Sequence, residues 1–121
     1  AVTAQMLNEQ PLVKLGTSTT TRMLVDEWLR RGRGPLPPPA MEFDSVEAIK
    51  AMVAAGLGCA VLPRMAVTGA GRHKDLDMRP LQPRLRRTLA FVLRQDKPVN
   101  RGLQKVLEAI ADGARAFKSR D

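Results

Sequence analysis

The chain contains no tyrosine, one tryptophan, three phenylalanines, one histidine and one cysteine. Each shortage excludes something. Proteins that hold single-stranded nucleic acid or RNA loops stack the bases on aromatic side chains, and so few rings make no such platform. His73 stands alone in a loop segment with no cysteine near it, so no zinc-type site, and no metal, is expected. The lone thiol, Cys59, has no partner for an internal disulfide, which points to a reducing, cytoplasmic setting. Inside the apolar run 59–62 it reads as a small buried hydrophobe. No apolar stretch approaches the roughly 18 residues that a membrane helix needs, and no signal-peptide pattern opens the chain. Internal repeats are missing too.

What is present is an ordinary globular composition: 121 residues, 44% hydrophobic and 26% charged, about one domain's worth of chain. The first residue is Ala1, without an initiator methionine, and a helical phrase follows almost at once. A piece of something longer is therefore expected. Twenty basic residues face twelve acidic ones, net +8. The excess is local: between 76 and 100, Arg79, Arg84, Arg86, Arg87, Arg94 and Lys97 oppose only Asp77 and Asp96, whereas residues 41–75 sum to zero. Such a balance is one footprint of a domain that binds nucleic acid by itself. The plainer account is a solvated, arginine-rich loop and edge strand.

Periodicity sets out the elements. Residues 3–9 form a short helix capped by Thr3, and "PLVKL" (11–15) a short buried strand that Gly16 breaks. From about Thr21 to Arg31, Leu24, Val25, Trp28 and Leu29 share one helical face, with Asp26, Glu27 and Arg30 facing outward. Gly32, Gly34 and "PLPPP" end that helix. "AMEF" (40–43) reads as a second strand. Asp44 or Ser45 then caps a helix buried through Val46, Ile49, Met52 and Val53, with Glu47 in its first turn. Gly56 stops it in a left-handed cap. Residues 59–63 read as a third strand, 68–75 as a surface loop, and 76–81 and 88–94 as two more strands. The last helix is capped by Asn100 and carries Leu103, Val106, Leu107, Ile110, Ala114 and Phe117 along one stripe.

Apolar strands alternating with amphipathic helices predict an α/β fold, a mostly parallel sheet flanked by helices. In such sheets ligands lie beyond the carboxyl ends of the strands, at helix amino termini. "GTSTTTR" (16–22) occupies one such place, and Asp44 and Ser45 another. One hydroxyl is enough to cap a helix, so Thr17, Ser18, Thr19, Thr20 and Thr21 include a surplus that ligand contact would explain. Ordinary turn chemistry explains it as well. Other chemistry is excluded: "GLG" (56–58) follows a helix and precedes a strand, the reverse of the phosphate-binding order. Ser18 and Ser45 have no histidine to activate them. Asp44 and Glu47 are accounted for by the helix start. No catalytic residue, no cofactor and no enzyme activity are expected.

Within this order, "PLV" with its hydroxyl-rich turn, "FDSVEAIKAMVAAGLGCAVLPRMAV" (43–67) and "MRPLQPRLRRTLAFVLRQDKPVNRGLQKVLEAI" (78–110) resemble the effector-binding domain of LysR-type transcriptional regulators. The resemblance runs from about residue 3 to about residue 113 and is most specific in "SVEAIKAMVAAGLGCAVLP". It implies one lobe of a type 2 periplasmic-binding-protein-like fold: the second subdomain at 1–99, and at 100–121 a closing helix that returns to a first subdomain. That first subdomain and the DNA-binding winged helix-turn-helix have no counterpart here. It further implies a small, commonly anionic effector held at Thr19, Thr20 and Thr21, with Thr17 and Ser18 just before them; Asp44 and Ser45 are candidates for the same site by their place at the other strand end. DNA would be bound through the missing winged helix. A homo-oligomer is implied, with no membrane. Leu103, Val106, Leu107, Ile110 and Phe117 would then contact the first subdomain or another copy, or the helix would fold back over its own sheet. A periplasmic-type solute-binding lobe shares the architecture and is the remaining alternative beside the basic nucleic-acid-binding domain.

Overall fold

The computed structural model describes residues 1–118. The expected closing segment's residues 119–121 lie outside the described residues. Two units emerge, residues 1–88 and 89–121.

In the first unit, α1 (Ala4–Asn8) is capped by Thr3, whose hydroxyl accepts from the Met6 N–H. Strand β1 (Val13–Leu15) pairs in parallel with β2 (Met41–Phe43), Lys14 opposite Glu42. Between them runs α2 (Thr20–Leu29), and after β2 comes α3 (Val46–Ala54). A short α4 (Arg64–Val67) and a 3-10 turn, Gly69–Gly71, follow. Gly56 takes φ +81° just past α3, the left-handed stop that a residue with a Cβ resists.

Because side chains alternate across a strand, β1 serves two faces. Leu12 joins Ala4, Leu7, Val25, Trp28 and Leu29 in one buried cluster, with Val2, Leu36, Cys59, Val61, Leu81 and Leu85 packed against it. Val13 and Ile49, 1% and 0% exposed, are buried outside that cluster, where α3 meets β1. Helices therefore cover both faces, as the apolar strand pattern implied.

The sheet is smaller than expected. Among the described residues, 59–63 contribute only a bridge: Val13 N–H donates to Cys59 O at 2.8 Å and Cys59 N–H to Pro11 O at 2.9 Å. Residues 76–81 likewise contribute only the Val2–Leu81 bridge. Residues 88–94 form no ladder at all. Every pairing that does form is parallel. Apolar alternation marks a segment able to pair, but a strand also needs a neighbouring edge at the right distance, and Leu89, Phe91, Val92 and Leu93 are exposed here.

The second unit contains α5 (Arg101–Lys118). Asn100 caps it as expected, its Oδ1 accepting from Leu103 N–H at 2.8 Å. Leu103, Val106 and Ile110 are exposed, Leu107 and Phe117 half-buried, and no residue of the helix is fully buried.

Candidate functional site

Parallel pairing brings both strand ends to one edge. Gly16–Thr19 leaves β1 for α2 there, and Asp44–Ser45 leaves β2 for α3. The two turns touch: a Cβ added to Gly16 would lie 2.5 Å from Asp44 Oδ1. Only glycine lets that carboxylate come so close. The residues expected to line a ligand site are thus neighbours in space.

The five hydroxyls divide by task. Thr19 is the α2 cap: its Oγ1 accepts from Arg22 N–H at 3.1 Å and donates to Gly16 O at 3.0 Å. Thr21 accepts at its Oγ1 a hydrogen bond from Arg87 Nη1 at 3.0 Å. Thr17, Ser18 and Thr20 are exposed. Ser45 caps α3, accepting from Ala48 N–H at 3.3 Å, and Asp44 is exposed. As in any helix, the first-turn amides of Thr20 and Thr21 have no carbonyl one turn back to donate to. They lend this edge a partial positive charge.

Beneath the edge lies a set of charges that periodicity did not reveal. Arg22, in the first turn of α2, is only 7% exposed. Its Nε donates to Asp26 Oδ2 at 2.8 Å, and its Nη1 to Leu15 O at 2.7 Å and Glu42 Oε1 at 2.5 Å. Lys14, 5% exposed, donates to Asp26 Oδ1 at 2.8 Å. Asp26 therefore turns inward instead of facing solvent. Burial opposes its charge, but the hydrogen bonds and charges of Lys14 and Arg22 outweigh burial and hold the carboxyl below its ordinary range. Burial likewise works against the Arg22 charge, and Glu42 and Asp26 more than compensate, raising its pKa. One signal was available in advance: a lysine inside an otherwise apolar strand needs a buried acid. Arg22 and Asp26 at i and i+4 offered one.

A cavity of about 10 Å³, lined in part by Leu15, Thr21, Arg22, Val25 and Val61, opens beside this network. That holds about one water molecule, far below the roughly 300 Å³ of a metabolite pocket. Among the described residues, no group of three or more His, Cys, Asp or Glu side chains could hold a metal ion, and no helix is long and apolar enough to cross a membrane.

The LysR substrate binding domain family matches residues 1–115. The uncharacterized HTH-type transcriptional regulator YusT of Bacillus subtilis is 30% identical over 101 residues, covering 83% of this chain and 34% of that protein. The HTH-type transcriptional regulator YofA of the same organism is 29% identical over 114 residues, 93% of this chain and 40% of its own length. The hydrogen peroxide-inducible genes activator of Haemophilus influenzae is 32% identical over 74 residues, 60% and 25%. No solved structure matches. The chain belongs to the LysR substrate-binding domain family, and it spans about a third of the length of the curated relatives it matches first.

Proposed function

We propose that this chain is the metabolite-sensing part of a LysR-type transcription regulator, forming one lobe of a periplasmic-binding-protein-like clamp. Its effector carries an anionic group and rests at the edge built by Thr17–Thr21, with Asp44 and Ser45 alongside. The observation that carries this reading is the convergence of two strand-to-helix turns at one carboxyl edge, with Gly16 against Asp44. Amides and hydroxyls there supply hydrogen-bond donors for an anion. The one-water cavity supports a clamp: a metabolite needs a second wall, supplied by a first subdomain outside this sequence. DNA is bound through a winged helix-turn-helix, also outside it. The regulator works in the cytoplasm as a homo-oligomer, associating through the apolar stripe of α5.

Asp44 refines the ligand chemistry. An exposed carboxylate beside an anion site repels a simple anion and attracts one that also carries an ammonium group. A thermal-shift screen of carboxylates and amino acids on the intact regulator tests both points, since a ligand selective for the folded state raises Tm. Amino acids are expected to outperform their deaminated counterparts, and Asp44→Asn to erase that preference. Thr20→Val with Thr21→Val is expected to abolish the shifts; if every hit persists in that double variant, the site lies elsewhere.

A further inference from the structure

The segment 80–88 is pinned along its length. Val2 donates its N–H to Pro80 O and accepts from Gln82 N–H, both at 2.8 Å. The Trp28 indole N–H donates to Pro83 O at 2.8 Å, and Leu85 packs on the core cluster. Arg87 then reaches the first turn of α2, with Nη1 on Thr21 Oγ1 and Nη2 3.5 Å from Met65 Sδ. Trp28 and Thr21 are two helical turns apart, about 10 Å, and four extended residue steps cover about 13 Å. The segment therefore runs back along α2 from its carboxyl end to its amino end, as a strap. Arg87 and Met65 are exposed, so solvent and ligands can reach this last pin. The strap's final residue, Thr88, is also the last of the first unit.

We propose that residues 80–88 form a latch, that the Arg87–Thr21 hydrogen bond is its pin, and that the pin couples the effector edge to Trp28. The proposal rests on the reading of that edge as the effector site. The direction of the response follows from bond strength. A guanidinium meets a carboxylate with opposite full charge and two parallel hydrogen bonds, against one bond to a neutral hydroxyl, so an anion at the edge draws Arg87 off Thr21. The strap then loosens where the chain passes into the second unit.

Trp28 is the single tryptophan, and its indole N–H reads the strap directly. Hydrogen exchange at that N–H is followed by 15N NMR in the 121-residue chain, in wild type, Arg87→Gln, Thr21→Val and the double variant. Each single change is expected to speed exchange by roughly three- to tenfold, the population shift of one lost hydrogen bond. The double variant should add nothing further, because both changes remove the same pin. Exchange at the Val13 amide, held by Cys59 O in the core, should stay constant, and Arg86→Gln, at an exposed neighbour, should have no effect. An indole that responds to neither single variant, or responds additively in the double, overturns the latch. No ligand enters this measurement, so an empty thermal-shift screen would count against the effector site and not against the latch.

Discussion

Asp26 shows how one residue can be misplaced by its chemistry and placed by its partners. On a helical wheel it belongs to the polar side of α2, yet it holds Lys14 and Arg22 together in a region where those side chains are 4% and 8% exposed. Removing one member of a buried pair leaves uncompensated charge, at about 3–5 kcal/mol. Asp26→Asn is expected near the lower end of that range by chemical denaturation, because Glu42 still compensates Arg22. The same carboxyl predicts a pH dependence. Its folded-state pKa lies below the unfolded value, so its contribution is complete above about pH 4 and disappears as pH falls through the depressed folded value. Urea midpoints measured downward from pH 5 should decline in wild type, and less steeply in Asp26→Asn.

At the scale of elements, the caps set where helices start. Thr3, Thr19, Ser45 and Asn100 each accept a first-turn N–H, and all are of the short polar type that competes with the backbone outside a helix and completes it at the end. Ser45→Ala is expected to cost about 1 kcal/mol, whereas Ser18→Ala, at an exposed position, should leave stability unchanged. Thermal melts of the two variants separate a cap from a free hydroxyl. Strands were less legible than helices. A helix bonds to itself, so its pattern and its ends lie in one stretch of sequence. The run 88–94 carries the strand pattern but forms no ladder, since its bonds depend on an edge elsewhere. Lys50 is a further element-level tie: its ammonium donates to Ala66 O and Gly71 O and pairs with Glu47, fastening α4 and the 3-10 turn to α3.

For the whole molecule, the stripe on α5 bears on assembly. Val106 and Ile110 are 54% and 53% exposed, and contiguous apolar surface in water favours association. Sedimentation of this chain should show concentration-dependent self-association, and Val106→Asp with Ile110→Asp should shift it to monomer. A wild-type chain that stays monomeric across the accessible concentrations removes α5 as the oligomer contact.

The sequence by itself marked α1, α2, α3 and α5, the caps Thr3 and Asn100, the Gly56 stop, the α/β class and the family, because their signals lie in contiguous stretches of chain; it did not mark α4. It also marked Gly16–Thr21 and Asp44–Ser45 as separate turns. Only the tertiary structure brought those turns together, buried Lys14 and Arg22 on Asp26, and carried Arg87 to Thr21. A charged side chain looks solvent-bound in a sequence whatever its fate. Whether it is buried depends on a counter-charge that folding delivers from elsewhere in the chain.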